Sequence, residues 1–149
     1  MDNNKIGMNS VQYIVVMLGE EQYGIDIKYV DNIVRMQKIT RVPKAQNFFS
    51  GVINLRGEII PVMSIRKRFG LQADVYDDHT RIIVLKPEQQ EAIGVIVDAV
   101  KEVVTLNDDQ IEKIYNDGKD ENSKFVNAVG KNQDNLISLL SVNGVLDFN

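Results

Sequence analysis

The clearest pattern along the chain is a series of short apolar runs, many of them β-branched and several alternating apolar with polar residues. Runs of about four to eight residues with this composition predict β-strands rather than helices. The predicted strands are Val11–Leu18, Tyr23–Ile27, Val34–Ile39, Val52–Leu55, Ile59–Met63, Arg81–Lys86, Ala92–Val97 and Asn135–Leu140. Many short strands at close spacing are typical of barrels or sandwiches, so we predict a mostly-β fold.

Turn-forming residues separate these runs at short intervals. The predicted turns are Gly19-Glu20-Glu21, Arg56-Gly57, Lys86-Pro87-Glu88 and Asn143-Gly144. Helical patterns are brief and are found at Asn47–Ser50, Ser64–Phe69 and Asn107–Tyr115, the last with Asn107 as its N-cap and Ile111 and Ile114 on one face. The polar stretch Asn116–Lys124 predicts a surface loop, and no sequence repeat is evident.

The composition predicts a folded protein, and the net charge disfavours non-specific binding to polyanions. With 149 residues, 44% of them hydrophobic and 26% charged, it suits one domain or two small, closely packed subdomains. A net charge of −4 and a pI near 5.0 disfavour binding driven by phosphate neutralisation. The absence of cysteine suits a reducing compartment, for which the cytoplasm is our expectation.

Targeting signals are not evident in the sequence. Met1–Lys5 has no apolar signal-peptide core, and the longest apolar run, Tyr13–Leu18, is far shorter than the roughly 20 residues that a membrane-spanning helix needs. We therefore predict a protein that does not insert into a membrane.

A search for catalytic or cofactor-binding residues finds none. His79 is the only histidine, and it lies in the polar run Asp77–Thr80, which predicts a loop rather than part of a catalytic triad. No P-loop and no G-x-G-x-x-G pattern is present, and the stretch after Asn116 lacks the order of an EF-hand calcium loop. The sequence predicts no enzyme, no metal site and no cofactor.

Two charged clusters have structural explanations. Asp108, Asp109 and Glu112 lie at a predicted helix start, where carboxylates favour the positive end of the helix dipole. The basic run Arg66–Arg68 lacks the further positive charge and exposed aromatics of a nucleic-acid site. We interpret this run as the solvated face of a short helix and predict no nucleic-acid partner.

The most specific stretch is Gly51–Leu71, which reads GVINLRGEIIPVMSIRKRFGL. It predicts a strand, a tight Arg-Gly turn, a second strand with Pro61, and a short helix ending at Gly70. Gly57 suits a turn with positive φ. Pro61 cannot donate a ladder hydrogen bond, so it predicts an edge or interrupted strand, and an edge can pair with a partner.

This order of N-L-R-G, a hydrophobic strand with P-V and an R-x-R-F-G helix resembles the central signature of the CheW family of chemotaxis coupling proteins. The similarity extends to Tyr23–Ile27 with Val30, to Gly94–Val100 with Val103 and Val104, and to Leu136–Leu146. It is collinear from about Val11 to Leu146 and so covers most of the chain.

The resemblance implies two small five-stranded β-barrels packed on a shared hydrophobic interface, with a few short helices. Residues 11–149 would form one CheW-like domain of two intertwined subdomains, preceded by a flexible N-terminus at residues 1–10. The implied protein is a non-catalytic adaptor that couples chemoreceptor tips to the regulatory domain of the histidine kinase CheA. It would be cytoplasmic and recruited to receptor arrays at the inner face of the membrane.

By the same resemblance, the receptor is expected in the groove between the barrels. The receptor-binding residues carried over are Val30, Gly51, Val52, Arg56 and Val103. Arg56 is the strongest of them, because a guanidinium makes several directed hydrogen bonds and arginine is enriched among interface hot spots. Taken alone, it would be a surface arginine that completes a turn. No residues are assigned to the kinase contact.

Three positions depart from the family pattern. Ser64 stands where aspartate is common, which removes a carboxylate that would pair with Arg66 or cap the next turn, although serine can also cap. Asn32 stands where an acidic residue is frequent, and Arg81 heads a strand that is often apolar there. All three bear on partner preference.

Two other functions are compatible with the same residues. One is a CheW-like regulatory module that serves a different signalling kinase. The other is a small-molecule sensor that holds a ligand between the barrels, with Arg56 pairing an anion. A thermal shift screen with carboxylate metabolites separates the sensor from the adaptor, because a ligand that binds only the folded state raises the melting temperature.

Overall fold

The chain divides into two compact units in the computed structural model, which describes residues 9–114 and 124–148. One unit, Lys28–Val100, is the central unit. The other, the terminal unit, combines the chain up to Ile27 with the chain from Lys101 onward. Both are built on β-sheets with a few short helical turns, so the predicted mostly-β class is confirmed.

The central unit is a five-stranded sheet in the order β3-β6-β7-β5-β4. Its strands are β3 (Val30–Arg35), β4 (Phe49–Leu55), β5 (Glu58–Ser64), β6 (Arg81–Leu85) and β7 (Ile93–Val97), and helix α1 (Ile65–Arg68) follows β5. One face of the sheet supplies the core, formed by Ile53, Ile60, Val62, Ile82, Val84 and Ile96. β-branched residues dominate this core because they pack well on a pleated surface.

The terminal unit is a six-stranded sheet in the order β8-β1-β2-β11-β10-β9. Its strands are β1 (Ser10–Leu18), β2 (Glu21–Asp26), β8 (Ala99–Asn107), β9 (Ile111–Lys113), β10 (Val126–Asn132) and β11 (Asn135–Leu140), and helix α2 (Val142–Val145) follows β11. Its core contains Val15, Val104, Leu106, Ala128, Ile137 and Leu139. The first eight residues of the predicted flexible N-terminus and most of the predicted loop Asn116–Lys124 lie outside the described residues.

The implied five-stranded barrels need two corrections. The short strand β9 brings the terminal sheet to six strands. Neither sheet closes into a barrel through strand ladders in the described residues. In the central unit, the chain beyond β3 reaches the opposite edge of the sheet only through a single bridge between Thr40 and Val52.

That bridge depends on Gly51. The backbone N–H groups of Thr40 and Val52 each donate to the carbonyl oxygen of the other residue at 2.8 Å. Gly51 has φ of 144°, and a Cβ at this position would overlap the Thr40 carbonyl. A glycine is needed because only a residue without a side chain lets the two backbones approach this closely.

Strand predictions failed where polar residues interrupt the apolar pattern. The predicted strand Val34–Ile39 is instead β3, which begins at Val30 and ends at Arg35. In β3, half-buried residues alternate with exposed ones, but Asn32 is half-buried and Ile33 is exposed, so polar residues stand on both faces and concealed the strand. β8, β9 and β10 escaped prediction for the same reason, since each mixes apolar residues with charged or amide side chains.

Two predicted helices and one predicted turn are wrong. The described part of the predicted helix Asn107–Tyr115, which ends at Ile114, is a single 3-10 turn at Asp108–Gln110 followed by β9, because Ile111–Lys113 pairs with β10. Asn47–Ser50 leads into β4. Asn143-Gly144 lies inside α2. In each case pairing or packing with distant parts of the chain outweighs the weak local preference.

Pro61 predicts an edge or an interrupted strand, and the edge alternative is wrong because β5 lies between β7 and β4. Val52 faces Pro61 across the hairpin, but the backbone groups of Val52 are bonded to Thr40. On the other side, the parallel ladder with β7 begins only at Val62. Pro61 is therefore accepted in an interior strand because no ladder bond requires its missing N–H.

A structural repeat relates the two units, although the sequence shows none. The β4–β5 hairpin with α1 corresponds to the β10–β11 hairpin with α2 at a separation of 77 residues, from position 64 to position 141. The Ser64 N–H donates to Phe48 O at 2.7 Å, and the Ser141 N–H donates to Phe125 O at 2.8 Å. Each serine hydroxyl also accepts from a backbone N–H in its helix, that of Lys67 at 3.2 Å or Gly144 at 3.1 Å. Backbone geometry is repeated more faithfully than residue identity.

We expect Gly51→Ala to lower the free energy of unfolding by more than about 2 kcal/mol, because the new methyl group displaces Thr40 from its bridge. Gly57→Ala is the matched control, since φ is also positive there, at 84°, but nothing lies within 4 Å of the new atom. The control should cost only about 1 kcal/mol. Urea denaturation measures both, and equal losses would contradict the steric role of Gly51.

Candidate functional site

The β4–β5 hairpin carries three of the five residues that the family resemblance assigns to receptor binding. Leu55 pairs with Glu58, so the connection has two residues, Arg56 and Gly57. Their φ values are 55° and 84°, and positive values at both positions define the type I′ turn that suits the twist of a hairpin. The Asn54 side-chain oxygen accepts from the Gly57 N–H at 2.9 Å and supports the turn.

Arg56 occupies the tip of this turn in a conformation that arginine disfavours. Asn, Asp or Gly is the usual residue at the first position of a type I′ turn, and a left-handed arginine costs about 1–2 kcal/mol. Its side chain is exposed and makes no hydrogen bond or ion pair with the described part of the chain. The guanidinium is therefore available for an external partner, and nothing within its unit explains why arginine stands there.

An outward-facing hairpin surface accompanies Arg56. Val52, Asn54, Ile59 and Pro61 alternate with the core residues of β4 and β5, and we call these four residues the hairpin face. Ile59 is 62% exposed, which is unusual because isoleucine is among the residues most often buried. Sequence reasoning missed Ile59, but the alternation offered a signal, because Ile59 and the buried Ile60 cannot point to the same side.

The remaining assigned residues differ in where they lie. Gly51 is buried and lets the backbones of Val52 and Thr40 approach each other. Val30 is half-buried at the start of β3, at the opposite end of the strand order from β4. Val103 is 51% exposed in β8, which belongs to the terminal sheet. Within the central unit the structure therefore brings together Gly51, Val52 and Arg56, and the five-residue receptor site stays a prediction.

The departure at Ser64 is compensated by Asp74. Ser64 is fully buried, caps α1, and donates its hydroxyl hydrogen to a carboxylate oxygen of Asp74. A carboxylate is thus present beside position 64, supplied from the connection after α1. The other Asp74 oxygen is buried without a hydrogen-bond partner.

Arg66 finds its acidic partner in Asp98 instead of position 64. Its Nε and Nη2 atoms donate to the two Asp98 carboxylate oxygens at 2.9 and 2.6 Å. This two-bond pairing with Asp98 raises the pKa of Arg66, although partial burial acts in the opposite direction. The pair ties α1 to the end of β7 and leaves little of this guanidinium for a partner.

The departures at positions 32 and 81 have local roles. The Asn32 side-chain oxygen accepts from the Ile33 N–H at 2.9 Å. Arg81 donates to the carbonyl oxygens of Asp78 and Thr80 at 2.8 and 2.9 Å, so its guanidinium closes the loop before β6. Neither contact reaches the hairpin face.

Catalytic or metal chemistry gains no support from the geometry. The His79 side chain is 80% exposed and lies 3.8 Å from Asp77 in the same loop. Among residues 9–114 and 124–148, no group of three or more histidine or carboxylate side chains is arranged to hold a metal ion. The same residues contain no helix long and apolar enough to cross a membrane.

Known proteins with similar sequences and structures cover nearly the whole chain. A family model described as "CheW-like domain" matches residues 12–148. Chemotaxis protein CheW of Bacillus subtilis (strain 168) is 34% identical over 134 residues, 90% of this chain and 85% of that protein. Chemotaxis protein CheW of Helicobacter pylori (strain ATCC 700392 / 26695) is 32% identical over 145 residues, 97% of this chain and 84% of that protein.

A solved structure agrees with these matches. The crystal structure of the scaffolding protein TtCheW from Thermoanaerobacter tengcongensis superposes with a TM-score of 0.83 at 35% sequence identity. The superposition covers 93% of this chain and 94% of that one. Both units and the β4–β5 hairpin therefore lie within the range of the similarity.

The Ser64–Asp74 contact generates a prediction. Ser64→Asp places two carboxylates side by side in a buried position and should destabilise the protein by about 2–3 kcal/mol near neutral pH. Burial and repulsion raise the folded-state pKa of the introduced carboxyl above its unfolded value. The loss of folding stability relative to the unmodified protein is therefore greatest at pH values above the raised pKa. It becomes smaller as the pH falls through that pKa.

Two further variants isolate the cause of this loss. Ser64→Asp combined with Asp74→Ser should recover most of the stability, because one carboxylate is again paired with one hydroxyl. Ser141→Asp is the matched control, since it caps α2 with the same geometry, and it should be nearly neutral. Urea denaturation at several pH values measures all four proteins. A pH-independent loss in Ser64→Asp would contradict the electrostatic explanation.

Proposed function

The chain belongs to the CheW family and is a chemotaxis coupling adaptor, and on that premise we propose that it joins chemoreceptor tips to the histidine kinase CheA without catalysing a reaction. The relatives favour neither a module for a different signalling kinase nor a small-molecule sensor. We further propose that it acts at receptor arrays on the inner face of the membrane.

The observation that carries the proposal is Arg56. Its exposed guanidinium has no hydrogen-bond or ion-pair partner among residues 9–114 and 124–148, and its backbone conformation costs free energy. A strained residue whose side chain satisfies nothing within its own unit is expected where strain contributes to function. Contact with a receptor helix supplies the missing hydrogen bonds and explains the choice of arginine at this turn.

The hairpin face adds an apolar contribution to the same contact. Val52 and Ile59 lie on the two strands that Arg56 connects, so we expect a partner that pairs the guanidinium to cover these side chains as well. Burial of an exposed isoleucine contributes about 1.5–3 kcal/mol. A charged anchor beside a small apolar patch is the usual composition of an interface hot spot.

Coupling requires a second surface, because a bridge must hold receptor and kinase together. A conformational change in the receptor reaches the kinase only if the adaptor, or the assembly it forms, contacts the two receptor states differently. No catalytic group is needed for such transmission. Val30 and Val103 belong to the proposed receptor site by family similarity, and the kinase contact has no assigned residues.

Arg56→Asn separates binding from folding. Asparagine tolerates the left-handed conformation, so this variant should be at least as stable as the unmodified protein. Its affinity for a receptor-tip fragment should fall by about 2 kcal/mol, or roughly 30-fold, because the guanidinium is lost. Calorimetric titration and urea denaturation measure the two quantities.

The structural repeat between the two hairpins provides a control for Arg56→Asn. Gln133 occupies the same position in the terminal hairpin with φ of 58°, so Gln133→Asn makes the same backbone adjustment without removing a charge. Receptor affinity should be unchanged in that variant. An Arg56→Asn protein that folds and binds the receptor fragment normally would remove Arg56 from the proposed site.

The adaptor function itself is tested by titrating the purified protein with the regulatory domain of CheA from the same organism and then with the receptor-tip fragment. Saturable binding to both, with the second ligand binding in the presence of the first, is the expected result. Binding to only one of them, or mutual exclusion, would contradict a bridging role.

A further inference from the structure

A groove in the central unit lies outside the surface described above. It has a volume of about 710 Å³ and is lined by the segment Met36–Asn47, by Phe49 and Ser50 at the start of β4, and by Lys67 and Tyr76. We call it the basic groove, for reasons of charge given next. Arg56 and the hairpin face do not line it.

All the charged side chains that line the groove are positive. Four cationic side chains line it, and no aspartate or glutamate does. They are Lys38, Arg41, Lys44 and Lys67. Within the described part of the chain, none of the four makes an ion pair or a side-chain hydrogen bond. Such a concentration of unpaired positive charge is unexpected in a chain whose net charge is −4.

Cationic and apolar residues are interleaved along the groove. Lys38 is followed by Ile39, Arg41 by Val42, and Lys44 by Ala45, so a cation and an apolar residue recur at every third position. Val42 is 46% exposed. The lining therefore offers cationic and apolar groups together, which complements a ligand that has both carboxylates and apolar side chains.

Hydrogen bonds hold several residues of the groove lining in place. The segment is attached to β4 by the Thr40–Val52 bridge and by a hydrogen bond from the Phe49 N–H to Gln46 O at 3.0 Å. Tyr76, which also lines the groove, hydrogen-bonds to the Ser50 side chain. Partial burial, and to a lesser degree Asp74, raise the pKa of Tyr76, so its hydroxyl is neutral at physiological pH.

We propose that the basic groove binds an acidic, amphipathic segment of a partner protein. Carboxylates of that segment pair with the lysines and Arg41, and its apolar side chains cover Ile39 and Val42. The groove is far larger than an inorganic anion, and its cations come from Lys38, Arg41 and Lys44 of one segment and from Lys67 of α1. Nucleic acid fits less well, because four cations on an acidic protein supply little counterion release.

The test uses a fluorescent helical peptide with glutamate on one face and leucine on the other, and a second peptide in which every glutamate is replaced by glutamine. Fluorescence anisotropy should show saturable binding of the glutamate peptide and at least about tenfold weaker binding of the glutamine peptide. Raising NaCl from about 50 to about 200 mM should weaken the glutamate complex.

Charge reversal places the binding within the groove. Arg41→Glu combined with Lys44→Glu should weaken the glutamate peptide at least about tenfold. Lys113→Glu combined with Lys131→Glu, at two exposed positions of the terminal unit, makes the same change in net charge and should leave affinity within about twofold. Thermal unfolding confirms that each variant is folded, and the peptide and salt comparisons on the unmodified protein do not depend on the variants.

Several results would overturn the proposal. They are equal affinity for the two peptides, equal losses in the two double variants, tighter binding of a single-stranded oligothymidylate than of the glutamate peptide, and displacement of the peptide by millimolar inorganic phosphate. The last would indicate a small-anion site. The proposal does not rest on the adaptor function, and a receptor or kinase that fails to bind in the titrations above leaves this test unaffected.

Discussion

The close approach of the Thr40 backbone to β4 is the constraint on which both surfaces of the central unit depend. Gly51 allows that approach, and the two hydrogen bonds between Thr40 and Val52 hold it. The same bridge anchors the segment that lines the basic groove and seats the strand that leads to Arg56. A side chain at position 51 would therefore disturb two surfaces at once, although Gly51 itself is buried.

The pleat of the β4–β5 hairpin imposes a second constraint. Ile53, Ile60 and Val62 must face the core, so their neighbours must face outward. Val52 and Ile59 are consequently exposed or half-buried by the same geometry that stabilises the sheet. The hairpin thus presents an apolar patch beside a charged tip.

The two units show how one backbone frame can carry different chemistry. Each contains a hairpin with a left-handed first turn residue, an exposed aliphatic residue after the turn, and a serine that caps the following short helix. The tips differ, since the central unit has Arg56-Gly57 and the terminal unit has Gln133-Asp134. Only the central tip offers a cation, so the shared geometry does not imply a shared partner.

The sequence by itself determined the mostly-β class, the β4–β5 hairpin and the capped turn at Ser64, because strand alternation, turn residues and N-caps act over a few neighbouring positions. The family signature around Arg56 determined the adaptor assignment. Tertiary structure alone decided that Pro61 lies in an interior strand, that Ile111–Lys113 is a strand, and that Asp74 and Asp98 supply the carboxylates near Ser64 and Arg66. Each of these outcomes depends on residues distant in sequence, whose proximity is set by chain topology and core packing rather than by local pattern.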